Sequence, residues 1–225
     1  MRFGTCVGSR FTVQSLVAMA AVGVATLSSP GAISAAILFD NLSAGSPNGY
    51  FGVTNGQWAA QAFSTSSTAF TISDVTLNMF NQNATTGGYE LQIWTATGAS
   101  GSPGSQVGSA IYTGLAENLG SGPLTINGLS VALAPSTSYY LVTRGVSLTN
   151  VSGFEEPLPG YLAWNATDVN TSASFSTVDG VSWSGPFSQN LYMKVEAVPE
   201  PSTCAMALAG LACGCYSIFR RRKQA

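Results

Sequence analysis

The side chains that most enzymes use for acid–base and nucleophilic chemistry are scarce in this sequence. It has no histidine, and its four cysteines are Cys6, Cys204, Cys213 and Cys215, near the two ends of the chain. The lack of histidine excludes a Ser-His-Asp triad and most zinc sites. The central part of the chain, which has no cysteine, has no thiol nucleophile and no disulfide. Carboxylates are the catalytic groups that remain.

The only adjacent carboxylates in the sequence are Glu155 and Glu156. Neighbouring residues of a strand point to opposite faces, so these two are poorly placed to act as a pair. Glu156 with Asp168 or Asp179 would form the two-carboxylate arrangement of a glycoside hydrolase, but no spacing requires it. We therefore predict that the protein is not an enzyme and needs no cofactor, with a hydrolase that uses loop carboxylates as an alternative.

Loop oxygens make calcium the one metal to consider. Asp40, Asp168 and Asp179 are weak calcium candidates by residue type, together with Asn41 and Asn170. The sequence contains no EF-hand spacing, so polar loop groups in contact with water are the favoured interpretation.

Aromatic side chains offer a binding surface rather than chemistry. Trp164, Trp183 and Tyr161 are candidates for stacking on sugar rings, and polar neighbours predict that the two tryptophans are exposed on one face. Trp94 and Tyr140 are further aromatic candidates. Filling of the core is the favoured alternative, because aromatic residues dominate the cores of β-sandwiches.

The elements that would position these residues are strands. Residues 69–81 alternate between apolar and polar, and the phase slips at Ser73-Asp74, which predicts a bulge. Residues 191–198 alternate as well, with Leu191 and Met193 among the inward positions. About ten such segments separated by turn signals predict an all-β fold, a jelly-roll-like antiparallel β-sandwich over residues 37–197.

The first 36 residues have the layout of a secretory signal peptide. Arg2 and Arg10 precede an apolar stretch at residues 11–27, and small residues follow up to Ala36, the favoured cleavage site. Residues 37–197 then carry only Arg144 and Lys194 against nine carboxylates, a net charge near −7. An acidic body without a basic patch argues against nucleic-acid binding.

The last 28 residues have three parts. Val198, Pro199, Glu200 and Pro201 come first, and the prolines keep them extended. Residues 204–219, of which only Ser217 is clearly polar, predict a short transmembrane helix, since a span needs about 20 residues. The stop-transfer cluster follows as Arg220, Arg221, Arg222 and Lys223, and cations of this kind stay on the cytoplasmic side.

This tail, residues 198–225, resembles the PEP-CTERM sorting signal of proteins exported by bacteria with a Gram-negative envelope. The resemblance implies recognition at Pro199-Glu200-Pro201 by an exosortase, a membrane transpeptidase. A precursor anchored in the inner membrane would lose its tail, and the body would reach the cell surface or the extracellular matrix.

The body resembles the choice-of-anchor R domain through several short strings. They are Leu38-Phe39-Asp40-Asn41-Leu42, Ala62-Phe63-Ser64-Thr65, Val75-Thr76-Leu77, Leu91-Gln92-Ile93-Trp94 with the turn at Gly101–Gly104, and Ser138-Tyr139-Tyr140-Leu141-Val142. An acidic residue expected before that turn is absent. The resemblance implies a β-sandwich and no particular activity. The sequence thus predicts an exported surface or matrix protein, with an exopolysaccharide-binding module as the alternative.

Overall fold

The described residues are almost all in β-strands. The structure, a computed structural model, describes residues 34–44, 47–150, 158–167, 174–177, 180–187 and 189–200. Within these ranges the strands are β1 Ala36–Asp40, β2 Gly49–Val53, β3 Trp58–Ser64, β4 Phe70–Asn81, β5 Thr86–Thr95, β6 Tyr112–Leu115, β7 Gly122–Leu133, β8 Ser138–Asn150, β9 Leu158–Pro159, β10 Leu162–Thr167, β11 Ser174–Thr177, β12 Ser184–Phe187, β13 Asn190–Leu191 and β14 Met193–Pro199. The helical pieces of this part of the chain are two 3₁₀ turns, Ala99–Gly101 and Ala116–Asn118.

The strands form two antiparallel sheets. The first sheet has the order β1-β14-β4-β10-β13, with β2 paired to β10 and β7 paired to β4. The second has the order β12-β11-β3-β8-β5-β6, with β9 paired to β8. The prediction of an all-β, antiparallel fold is confirmed, whereas the jelly-roll description stays a prediction.

One hydrophobic core is shared by the two sheets. The alternation in β4 buries Ile72 before the phase slip and Val75 after it, and the predicted bulge is confirmed by the register shift between Ile72 and Asp74. From the second sheet, Leu91 and Ile93 of β5 belong to the same cluster of buried side chains. Burial between the two sheets explains the apolar inner faces of β4 and β5.

The first sheet forks at Tyr192, between β13 and β14. Strand β14 pairs with β4 up to Leu77, while β13 leaves β4 and pairs with β10. The Asn41 side chain brackets the fork, because its Nδ2 donates to Leu191 O at 3.1 Å and its Oδ1 accepts from Met193 N at 2.8 Å. The fork thus satisfies backbone groups that a regular ladder would have paired.

A buried polar side chain links the two sheets across the core. Gln61 of β3 is fully buried, and its Oε1 accepts a hydrogen bond from Leu191 N of β13 at 2.7 Å. Buried backbone N–H groups need such partners, so Gln61 substitutes for a missing strand neighbour.

Residues 1–33 of the predicted signal peptide and the membrane-length run at residues 204–219 lie outside the described residues, so the signal helix and the transmembrane helix stay predictions. Ala36, the favoured cleavage site, is the first residue of β1 and pairs with Ala197 of β14. In the part of the chain that the structure describes, no helix is long and apolar enough to cross a membrane.

Candidate functional site

The structure separates the three aromatic residues that the sequence put together. Trp164 of β10 is fully buried, and its Nε1 donates to Tyr192 O at 2.9 Å, at the fork of the first sheet. The prediction that Trp164 and Trp183 form an exposed pair is therefore wrong. Trp164 lies in a strand flanked by β2 on one side and by β4 and β13 on the other. Its polar neighbours Asn165 and Thr167 belong to the same strand and not to a loop.

Tyr161 and Trp183 belong to different surroundings. Tyr161 is half-buried beside Tyr50, and a hydrogen bond with the Tyr50 side chain raises the pKa of its phenol. Trp183 is half-exposed and packs on Trp94 of the second sheet. Of the three candidates, only Trp183 contributes to the surface described next.

The outward side of the second sheet carries an aromatic and polar surface, which we call the tryptophan face. It is built from alternating positions of three neighbouring strands, because residues two apart in a strand share a face. Cross-strand pairs align Glu90 with Arg144, Gln92 with Val142 and Trp94 with Tyr140. The tryptophan face consists of Trp58, Ala60 and Ala62 from β3, Glu90, Gln92 and Trp94 from β5, Tyr140, Val142 and Arg144 from β8, and Trp183.

Three indole rings form the apolar part of this face. Trp94 is at the centre, with its ring 6.3 Å from that of Trp58 and 5.9 Å from that of Trp183, centroid to centroid. Both pairs are edge-to-face, with interplanar angles of 76° and 70°. All three tryptophans are half-exposed above the buried Ala60 and Val142. The rings are thus ordered by one another and still reach the surface.

A chain of hydrogen bonds runs beside the rings. Arg144 Nε donates to Glu90 Oε2 at 2.8 Å, Gln92 Nε2 donates to the same oxygen at 3.1 Å, and Trp94 Nε1 donates to Gln92 Oε1 at 2.8 Å. The Arg144 guanidinium also lies over the Trp58 ring, 5.2 Å from its centroid. Each group therefore holds the next one in place.

The charge state of Glu90 follows from this chain. Its hydrogen bond with Arg144 keeps the pKa of the Glu90 carboxyl below the usual range for glutamate, although partial burial opposes the shift. The carboxylate is therefore ionised at neutral pH and accepts hydrogen bonds only.

A loop borders the face on the Tyr140 side. Tyr140 is buried, and its hydroxyl donates to Gly101 O at 2.8 Å, in the 3₁₀ turn Ala99–Gly101. Burial raises the pKa of this phenol, so it stays protonated at physiological pH and keeps the turn attached.

The arrangement suits binding better than catalysis. Among the described residues of the tryptophan face, Glu90 is the only one with a carboxyl group, and its Oε2 accepts two hydrogen bonds, so these residues supply no second carboxylate for acid–base work. They do offer partly exposed ring faces next to a guanidinium and a carboxylate. Such groups pack against the C–H faces of a ligand and bond to its hydroxyl groups.

A groove elsewhere on the surface lacks the aromatic and charged side chains of the tryptophan face. This groove of about 530 Å³ lies between Val107–Ile111 and Gly128–Ala132, and no titratable side chain lines it. It therefore offers little for ligand recognition beyond apolar contact.

The calcium candidates do not form a site in the described structure. Asp40 is exposed, and its Oδ1 accepts a hydrogen bond from Leu42 N at 3.0 Å in a local turn. Asp168 and Asp179 lie outside the described residues, as do Glu155 and Glu156. Among the residues that are described, no three His, Cys, Asp or Glu side chains are grouped to hold a metal ion.

The first residues of the predicted sorting segment belong to the last strand. Strand β14 extends to Pro199, where Val198 pairs with Thr71 and Pro199 with Phe70. Val198 and Pro199 are half-buried, whereas Glu200 is exposed. Pro201 and the cations at 220–223 lie outside the described residues.

Comparison with known proteins identifies this segment. Residues 197–223 match the family model of the PEP-CTERM protein-sorting motif, so the chain carries that motif. A motif of this kind implies export, a membrane-anchored precursor and processing by an exosortase. The resemblance to the choice-of-anchor R domain is not confirmed, and no curated protein matches the chain.

One solved structure aligns with part of the chain. The clostridial cysteine protease Cwp84 after propeptide cleavage aligns with a TM-score of 0.45 and 16% sequence identity, over 67% of this chain and 38% of that chain. The chain thus spans well under half of that protein's length, and a likeness this weak carries no conclusion about fold or activity.

Several residues of the tryptophan face were missed by sequence reasoning. Trp58, Glu90, Gln92 and Arg144 were not among the candidate residues for binding. A usable signal was present in β8, where residues 139–145 have bulky or apolar side chains on both faces of the strand. A strand of this kind is covered on its outer side as well as its inner side.

Proposed function

We propose that the protein is an exported protein that an exosortase-type membrane transpeptidase sorts to the cell surface or the extracellular matrix. The observation that carries the proposal is the match of residues 197–223 to the sorting motif. Within it, Pro-Glu-Pro, an apolar run and a cationic cluster follow in that order. The precursor is held in the inner membrane by residues 204–219 until the tail is removed.

Replacing Pro199, Glu200 and Pro201 with alanine tests this proposal in a bacterium that processes such tails. We expect full-length precursor to accumulate in the membrane fraction, measured by intact mass. Alanine at Ser202 and Thr203 is the matched control, because it leaves Val198–Pro201 unchanged. Normal mature mass and location of the triple variant would contradict the proposal.

A second function rests on the tryptophan face. We propose that the body is a carbohydrate-binding module that holds an exopolysaccharide there. Three half-exposed indoles support this, since aromatic faces pack on apolar sugar faces, and the partly exposed Arg144–Glu90 pair beside them is placed to bond to hydroxyl groups. Trp183 keeps the stacking role predicted for it, and Trp94 and Trp58 take the places of Trp164 and Tyr161.

The charge of the body narrows the class of polysaccharide. Residues 37–197 have a net charge near −7, from nine carboxylates and two cations. Repulsion would weaken binding of a polyanion, and Arg144, the one cation of the face, already pairs with Glu90. A neutral polysaccharide is therefore the ligand that the electrostatics favour.

Affinity electrophoresis of the mature protein in gels that contain neutral polysaccharides tests this function. We expect retardation in at least one gel, which Trp94→Ala abolishes and Trp183→Ala weakens. Tyr161→Phe is the matched control, because Tyr161 lies outside the tryptophan face. The proposal fails if no gel retards the protein, or if a Trp94→Ala variant that remains folded by circular dichroism is retarded equally.

A further inference from the structure

The last strand of the body contains Val198 and Pro199, the first half of the recognition motif Val198–Pro201. Val198 and Pro199 are opposite Thr71 and Phe70 of β4, and Glu200 N donates to Ala69 O at 2.9 Å. The ladder between β14 and β4 therefore continues through the first three residues of the motif. In the described structure these residues are the final rungs of the first sheet and not a free linker.

The position of Pro199 fits this pairing. In an antiparallel ladder, hydrogen-bonded pairs alternate with pairs whose N–H groups point away. Since Glu200 N bonds to β4, the nitrogen of Pro199 points away from β4. Proline has no N–H to donate, so at this rung it interrupts no bond to β4. The motif can thus be a strand without breaking the ladder.

The acidic residue of the motif has its own partner on β4. Thr71 Oγ1 donates to Glu200 Oε1 at 3.0 Å. A carboxylate acceptor makes such a bond stronger than one between neutral groups. Backbone and side chain of Glu200 are therefore both engaged by the body.

No free segment separates the motif from the core. Ala197, the residue before Val198, is fully buried and pairs with the fully buried Ile72. On the other side, only residues 201–203 precede the apolar run that starts at Cys204. An enzyme that binds the motif as an extended chain needs the backbone groups and the Glu200 side chain that β4 holds.

We propose that the folded body and the processing enzyme compete for residues 198–200, so that the tail is processed only after these rungs detach from β4. This inference rests on the proposed sorting function and adds a control to it. The stability of the end of β14 then sets the rate at which the precursor is processed. Strand ends open far more easily than central rungs, so this control modulates processing and does not prevent it.

The test inserts Gly-Ser-Gly-Ser-Gly-Ser between Ala197 and Val198 in the full-length precursor. The insert supplies new residues to pair with β4 and leaves the motif unpaired and unchanged in sequence. We expect conversion of precursor to mature protein, followed by pulse-chase in the processing bacterium, to accelerate about fivefold or more, the effect of losing one or two hydrogen bonds. An unchanged or slower conversion would overturn the competition.

A control separates this inference from the sorting function. The same insert combined with alanine at Pro199, Glu200 and Pro201 should remain unprocessed. Processing of that variant would overturn the sorting function itself. Equal rates for the insert and the natural chain, with the alanine variant unprocessed, would overturn only the competition.

Two single substitutions in β4 test the competition independently of the insert. Thr71→Ala removes the bond to Glu200 and should accelerate conversion about twofold, since an exposed hydrogen bond contributes little. Thr76→Ala is the matched control, because Thr76 lies on the same strand and its Oγ1 bonds to Thr125 Oγ1 at 3.2 Å, away from the motif. Equal acceleration by both variants would show a general loosening of β4 and contradict the specific role of Thr71.

Discussion

Trp164 and Trp94 are in the two sheets of one body and have opposite environments. Trp164 is fully buried in the first sheet, and its indole N–H bonds to the backbone at Tyr192. Trp94 is half-exposed on the outer side of the second sheet, and its indole N–H bonds to the Gln92 side chain. Both tryptophans are in strands, and both have their N–H satisfied.

This difference in burial shows that Trp94, and not Trp164, can contact a ligand. A core tryptophan bonded to a backbone carbonyl has its geometry set by the fold, and its loss harms the fold. The geometry of Trp94 is set by its hydrogen bond to the buried Gln92 side chain, which is in turn held by the partly exposed Glu90 and Arg144. Evidence for a binding role must therefore come from the outer face, and variants of the two regions should separate stability from binding.

The largest expected effect is on the core side of this comparison. Trp164→Ala should lower the free energy of unfolding by about 3–5 kcal/mol, because it leaves a cavity in the core and removes the hydrogen bond from the indole to Tyr192 O. Trp94→Ala should cost only about 1 kcal/mol, since its ring is half-exposed. Urea denaturation of both variants measures the difference. Equal losses would break the distinction between the two regions.

The second largest loss of stability is expected when the Gln61 hydrogen bond across the core is removed. Gln61→Leu should destabilise the protein by about 2 kcal/mol, because Leu191 N–H then stays buried without an acceptor. The half-buried Gln57 offers a matched control, and Gln57→Leu should change stability by less than about 0.5 kcal/mol. A neutral Gln61→Leu variant would mean that the N–H finds another partner.

One substitution of a buried residue in the second sheet should increase the stability of the protein. Thr143 of β8 is fully buried, and its hydroxyl has no hydrogen-bond partner among the described residues. Thr143→Val keeps the shape and removes the unsatisfied group, so we expect a gain of about 1 kcal/mol. Thermal unfolding measures it, and a loss of stability would show that the hydroxyl is bonded.

The smallest expected effect is the dependence on pH of the stability that Glu90 and Arg144 of the tryptophan face contribute. The pKa of Glu90 is lower in the folded protein than in the unfolded chain, so its bond with Arg144 contributes stability above the ordinary glutamate pKa of about 4.3. That contribution is lost as the pH falls through the lowered pKa of the folded state. Both groups are partly exposed, so it amounts to less than about 1 kcal/mol.

Comparison of the natural protein with Glu90→Gln isolates this contribution. We expect the natural protein to lose more stability than the variant between pH 7 and pH 3, measured by denaturation at each pH. Identical pH profiles would show that the ion pair contributes nothing, and the hydrogen-bond chain would then order the face without stabilising the fold.

The fold was predictable to the extent that it follows from local pattern. The inward positions of the last strand, such as Met193 and Val195, were predicted and are fully buried. The bulge in β4 was also predicted, because inserting one residue shifts the apolar phase. The candidate site was predicted only through its separate aromatic residues Trp183, Trp94 and Tyr140, since a period of two tells which residues share a face and not which strands are neighbours.

The sequence by itself determined the all-β class, the acidic body and the sorting motif, because each depends on composition or on residues adjacent in the chain. Only the tertiary structure decided that Trp164 is buried at a fork, and that Trp58, Trp94 and Trp183 meet on one face. It also decided that residues 198–200 are rungs of a sheet. The reason is that strand neighbours such as β3, β8 and β5 are far apart in sequence, and pairing between distant segments is set by the packing of the whole core.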